Sequence, residues 1–180
     1  MNNLDRIFKA KESTLHFVKA YIEYLKNILD QISLEEVVSF IEAIKEAREN
    51  NKIVYFIGNG GSAATASHFA NDLAVGTRTS KKPFRVMSLT DNTAVLTAIG
   101  NDFGYDELFV KQLEVYLNPG DLVVAISASG NSKNVVKALE FAQKRKAKTV
   151  GLTGFDGGRV KEIADINVHV PSVKGEYGPV

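Results

Sequence analysis

A chain of 180 residues with an ordinary apolar share of 44% can bury one sizeable core, so a single domain is expected. Its 22 Lys and Arg against 21 Asp and Glu leave a formal charge of +1, which argues against a general attraction to nucleic acid or to a membrane surface. There is no cysteine for disulfides or thiolate metal sites, no leader-like N-terminus, and no apolar run near the ~20 residues of a membrane helix, so a soluble cytoplasmic protein is expected.

Residues 4–29 read as one long amphipathic helix, with Leu4, Ile7, Phe8, Leu15, Val18, Ile22, Leu25 and Leu29 on a broad apolar face. Ser33 with Glu36 predicts a capping box that opens a second helix through Val37, Val38, Ile41 and Ile44. Residues 1–50 thus form an N-terminal helical hairpin. Its apolar surface is generous for one small sheet, so part of it is expected to bury against another subunit.

Residues 53–57 are an uninterrupted run of β-branched and aromatic residues, as in a parallel strand covered on both faces. Gly58, Gly60 and Gly61 then allow a tight turn and close approach to a ligand, and Ser62 stands where the N-cap of the next helix belongs. On that helix Ala66, Phe69, Ala70 and Leu73 share a face suited to packing on a sheet. Thr65, His68 and Asp72 form a polar stripe beside it, which reads either as an acid–base layout below a phosphate cradle or as an ordinary surface pair.

Residues 83–89 predict a second strand. Asp91 or Thr90 is the expected cap of a helix through Val95, Leu96 and Ile99, interrupted by Gly100-Asn101-Asp102-Phe103-Gly104 and followed by a helix through Leu108, Val110 and Leu113. Pro119-Gly120-Asp121 is a turn into the most strand-like run, residues 122–126. A helix over 133–144, a strand over 148–152, a short helix over 158–164 and a strand over 166–170 complete the pattern. Strand and helix alternate from residue 53 onward, which predicts a parallel sheet with helices on both faces over residues 51–180.

Ser127, Ser129 and Ser132 surround Gly130 between a strand and a helix N-terminus, repeating the logic of the first loop. Serines after a strand also serve as turn formers and caps, but two such loops in one small parallel sheet point to a shared phosphate monoester at its carboxyl edge. Neither loop has the P-loop pattern or the GxGxxG spacing, so no nucleotide cofactor is expected.

Gly58-Asn59-Gly60-Gly61-Ser62 with His68, then Gly100-Asn101-Asp102-Phe103-Gly104, then Ser127-Ala128-Ser129-Gly130-Asn131-Ser132, together resemble the sugar isomerase (SIS) domain family and within it the phosphoheptose isomerase group. The resemblance implies a three-layer α/β/α sandwich of flavodoxin-like type with a five-stranded parallel sheet, and a homotetramer. It also implies conversion of sedoheptulose 7-phosphate to D-glycero-D-manno-heptose 7-phosphate for surface polysaccharides such as lipopolysaccharide or capsule. By the same resemblance Asn59, Gly60, Gly61, Ser62, Asn101 and Asp102 contact substrate, and Ser127, Ala128, Ser129 and Ser132 hold the phosphate. His68 falls at a metal-ligand position, often zinc, and Asp72 stands where the family has a catalytic glutamate, which makes His68 and Asp72 the catalytic and metal-ligating candidates.

Asp for Glu at position 72 draws the carboxylate back by one methylene. Family members also continue past the region of residues 177–180 with a helix carrying the second catalytic His. That helix is expected to be missing here, and His16 and His169 are not convincing replacements for its His. The family also holds non-catalytic phosphosugar-binding and protein-assembly modules, and isomerases of other sugar phosphates, as alternative functions.

Overall fold

Five strands, β1 (Ile53–Gly58), β2 (Arg85–Ser88), β3 (Leu122–Ser127), β4 (Lys148–Thr153) and β5 (Ile166–His169), pair in parallel in the order β2-β1-β3-β4-β5. The computed structural model describes residues 1–10, 13–78 and 81–176. Residues 177–180, where the family's last helix would follow, lie outside the described residues. The helices are α1 (Asn3–Lys9), α2 (Thr14–Leu29), α3 (Leu34–Glu49), α4 (Gly61–Asn71), α5 (Thr93–Asp102), α6 (Val110–Tyr116), α7 (Lys133–Lys144) and α8 (Gly158–Ile163). No helix among the described residues is long and apolar enough to cross a membrane.

Alternation along the central strands builds the three layers. Val54 and Phe56 of β1 and Val124 of β3 meet Phe40, Ala43, Ile44 and Ala47 of α3 and Ala66 and Ala70 of α4 on one face. Tyr55, Ile57, Val123 and Ala125 meet Phe109, Leu113, Val135, Ala138 and Leu139 on the other. On α4 the expected sheet-facing residues do pack, and Phe69 stacks on Phe56 with ring centroids 5.3 Å apart. The chain leaves β1 toward β2 on one side and reaches β3 on the other, so the connections diverge between β1 and β3. In open parallel sheets such a switch point leaves a crevice at the strands' carboxyl ends. Gly58 pairs with Ile126, so the two glycine- and serine-bearing loops start at the same level on adjacent strands.

Several local expectations are corrected. The single helix over 4–29 is two helices, because the Ser13 side chain accepts a hydrogen bond from His16 N and starts α2 afresh. Phe8 of α1 still packs edge-on against Phe17 of α2, with ring centroids 5.6 Å apart. Asn92, rather than Asp91 or Thr90, caps α5 by accepting from Val95 N at 3.1 Å. Asp91 and Thr90 instead bond the Ser67 hydroxyl of α4. The capping box at Ser33 forms by half: Ser33 Oγ accepts from Glu36 N, but the Glu36 carboxylate accepts from His169 N at the end of β5. Gly100-Asn101-Asp102 does not interrupt α5 but forms its last turn, and the helix stops at Phe103 before Gly104.

Glu176 had no predicted role, yet its side chain is fully buried. Its carboxylate accepts from Asn3 N (2.6 Å) and Leu4 N (3.3 Å) in the first turn of α1, from Val173 N (3.1 Å), and from the Tyr24 hydroxyl of α2. Burial pushes this carboxyl upward, but the hydrogen bonds from Tyr24, Val173, Asn3 and Leu4 outweigh it and hold the group below its ordinary value.

Candidate active site

At the carboxyl edge of β1 and β3 lies a cavity of about 500 Å³ lined by Asn59, Gly61, Ser62, Thr65, Ile126, Ser127, Ala128, Ser129 and Ser132. The glycine turn reaches it because Gly60 takes φ +55°, a left-handed value that costs a side chain dearly. Gly60, rather than Ser62, is the N-cap of α4, so the helix starts two residues earlier than expected and Ser62 sits in its first turn. On the other side Ser132 occupies the N-cap of α7 without a side-chain capping bond, which leaves its hydroxyl for a ligand. Two helix N-termini therefore open onto one cavity, and none of its lining residues carries a charge. Hydroxyls, backbone N–H groups and the two positive dipole ends are the means of holding an anion there.

The serine loop is held firmly. Gly130 N donates to Ser127 O and Oγ, Gly154 N to Ala128 O, and Val160 N to Gly130 O. A Cβ at Gly130, whose φ is +62°, would lie 1.8 Å from Gly157 O, so only glycine lets the two loops meet. Asn131 adds a brace: its amide donates to Ser129 O and accepts from Arg159 N.

The structure thus gathers Asn59, Gly61, Ser62, Ser127, Ala128, Ser129 and Ser132 around one space, with Gly60 in the turn between Asn59 and Gly61. It does not bring the other candidates into that lining. Asn101 and Asp102 lie exposed at the end of α5, where Asn101 Nδ2 donates to Asp102 Oδ1 at 2.7 Å. His68 and Asp72 follow Ser62 along α4 by six and ten residues, roughly 9 and 15 Å of helix rise. His68 Nε2 lies 3.1 Å from Asp72 Oδ2, with the two side chains 75% and 56% exposed. At Asp72 the helix widens into a π turn, Asp72–Gly76, in which Thr77 N donates to Asp72 O.

Zinc fits the described residues poorly. His68 and Asp72 offer two donors already paired with each other, and no group of three or more His, Cys, Asp or Glu among the described residues is arranged to hold a metal ion. A catalytic zinc takes three protein ligands. His169 stands apart at the end of β5, where its Nδ1 lies 3.1 Å from Thr153 Oγ1 and burial, with Lys161 nearby, lowers its pKa.

Sequence reasoning missed Asn134, whose buried amide reaches Asn59 in the first loop. Its signal was available: Asn134 falls on the buried face of α7 with Val135, Ala138, Leu139 and Ala142, a polar residue in an apolar stripe. Tyr105, in a 3₁₀ turn after Gly104, was also missed, and its hydroxyl donates to Asn59 Oδ1.

The family model described as SIS domain matches residues 16–154. The chain belongs to the SIS domain family. Similar curated relatives include the phosphoheptose isomerase of Aliarcobacter butzleri, 48% identical over 130 residues that cover 72% of this chain and 68% of that protein. The phosphoheptose isomerase of Geobacter sulfurreducens is 38% identical over 158 residues, covering 86% and 84%. Among solved structures, phosphoheptose isomerase GmhA from Neisseria gonorrhoeae superposes with a TM-score of 0.82 at 34% identity, covering 91% of this chain and 89% of that one. The SIS fold expected from the loops is therefore the one observed, with its parallel sheet and leading helices.

Proposed function

We infer that this SIS domain protein is an aldose–ketose isomerase that converts sedoheptulose 7-phosphate to D-glycero-D-manno-heptose 7-phosphate. The observation that carries the reading is the uncharged cavity in which two loops from adjacent strands present hydroxyls and helix N-termini to one space. Similarity to phosphoheptose isomerases over most of the chain supports the choice of sugar.

In this reading the phosphate is held between the Ser62 turn and Ser127, Ser129 and Ser132, and the sugar reacts in its open-chain form. The reacting carbons lie at the opposite end of the sugar from the phosphate, which suits groups displaced along α4 from the cradle. Asp72 removes a proton from C1 of the ketose to give the cis-enediol, and the proton returns at C2 to give the aldose. His68, paired with Asp72, polarises the oxygens that exchange roles. General acid–base help of this kind contributes about 10²–10⁴-fold. Proton transfer needs heavy atoms about 2.6–3.2 Å apart, so the π turn at Asp72 bears on the reach of its shorter side chain. Zinc at His68 and Asp72 would draw its other ligands from outside the described residues, and no step here passes through it.

The reading includes a cytoplasmic homotetramer serving surface polysaccharide synthesis. Leu15, Val18 and Ile22 on α2 and Leu34, Val38 and Ile41 on α3 are exposed, which supports a subunit interface along these helices. The test of function is incubation with sedoheptulose 7-phosphate in D₂O, with and without chelator, followed by product analysis. An aldose 7-phosphate bearing deuterium at C2 is expected. Absence of both product and deuterium exchange without chelator would overturn the assignment.

A further inference from the structure

We propose that Asn134 and Tyr105 are positioning residues that turn Asn59 into a pure hydrogen-bond donor toward the cavity. One backbone group fixes the orientation of the network, because an N–H can only donate. Val135 N–H donates to Asn134 at 3.0 Å, so the atom it meets is the amide oxygen, and this fixes the orientation of the Asn134 amide. That oxygen also accepts from Asn59 Nδ2 at 2.8 Å, while Asn134 Nδ2 donates to Asn59 Oδ1 at 2.9 Å. The Tyr105 hydroxyl then donates to the same Asn59 oxygen at 3.0 Å.

An amide oxygen has two lone pairs and an amide nitrogen two hydrogens. Both lone pairs of Asn59 Oδ1 are taken, by Asn134 and Tyr105, and one Nδ2 hydrogen is taken by Asn134. A single N–H is all that the side chain has left for the cavity it lines. The ligand group that meets Asn59 is therefore an acceptor, an oxygen of the phosphate or of the sugar, and an unaided asparagine could have presented either end. The same bonds tie together three chain segments: the glycine turn after β1, the start of α7 beside the serine loop, and the turn after Gly104. Asn134 is 1% exposed and Asn59 half-buried, so the Asn134 side of the reciprocal pair is shielded from water.

The proposal rests on the sugar phosphate reading, but its test is separable. Dissociation constants for sedoheptulose 7-phosphate are measured by calorimetry on Asn59→Ala, Asn134→Ala and the double variant, with thermal unfolding recorded alongside. Each single change is expected to weaken binding about 10-fold, and the double change also about 10-fold, because Asn134 acts through Asn59. A product of effects, near 100-fold, would show that Asn134 is a merely structural residue and overturn the proposal. Tyr105 is 59% exposed, so Tyr105→Phe keeps the test alive if Asn134→Ala does not fold. It is expected to weaken binding about 3-fold in the unchanged protein and not at all in Asn59→Ala, and an equal loss in both backgrounds contradicts the proposal. A protein that binds the sugar but does not isomerise it would remove the reaction while leaving this cycle to be read on binding alone.

Discussion

The cavity between the two loops and the His68–Asp72 pair draw on one helical stretch, α4 and the π turn that continues it, yet they are built differently. Ser62 stands in the first turn, against a serine loop whose backbone groups are bonded to neighbouring loops and whose Gly130 touches Gly157. His68 and Asp72, roughly two and three turns beyond Ser62, are largely exposed, and among the described residues their side chains bond each other and Asn71. The backbone of the serine loop is thus held in place before any ligand arrives. The His68–Asp72 end is open on its outer side, so in the proposed reaction the substrate, or a further protein surface, supplies the dry environment that strengthens charge interactions.

If the two ends divide the work in this way, changes at one leave the other's observable untouched. The largest expected effect is Asp72→Asn, which should lower turnover of sedoheptulose 7-phosphate by about 10²–10⁴-fold while leaving its dissociation constant unchanged. Steady-state kinetics beside calorimetry checks this, and weakened binding of similar size would erase the contrast. Gly130→Ala attacks the other end. It sets a side chain against Gly157 O in a left-handed backbone, which should cost about 1–3 kcal/mol in stability and release the serine loop, read as a lower Tm with lost sugar phosphate affinity.

Smaller effects sharpen the comparison. Ser132→Ala should weaken sugar phosphate binding about 10-fold with Tm unchanged, because Ser132 makes no capping bond. Ser33→Ala should do the reverse, costing about 1 kcal/mol of stability with binding intact, because Ser33 does cap α3. The smallest effect concerns His169. Burial and Lys161 lower its pKa in the fold, so the unfolded chain binds the proton more readily. Stability from this group is fully present above its ordinary value of about 6.5 and falls as pH drops below it toward the lowered folded value. Denaturant melts between pH 7 and 5 should show that slope, and His169→Gln should flatten it.

The sheet and its loops were legible because buried parallel strands are continuous apolar runs, and glycine and serine mark where the backbone must bend toward a ligand. The boundaries of α7 emerged as expected for the same reason, a strong apolar stripe behind a serine. What escaped the sequence depended on partners distant along the chain. Asp91 looked like a cap until Ser67 claimed its carboxylate, and Glu36 looked like half of a capping box until His169 N took it. Glu176 was silent because a buried carboxylate is recognised only by the groups folded around it, and Asn134, visible as a polar residue in an apolar stripe, gave no sign of its partner Asn59. Within the site, the shared cavity was readable from two loops, whereas the exposed placement of His68, Asp72, Asn101 and Asp102 outside its lining was not.

A crystal structure with sedoheptulose 7-phosphate bound tests most directly whether the two loops close over one phosphate. It should show the phosphorus between Ser62 and Ser132, with oxygens bonded to Ser127, Ser129 or Ser132 hydroxyls and the sugar extending along α4 toward His68. A phosphate bound elsewhere on the protein, with the cavity between β1 and β3 empty, would contradict it.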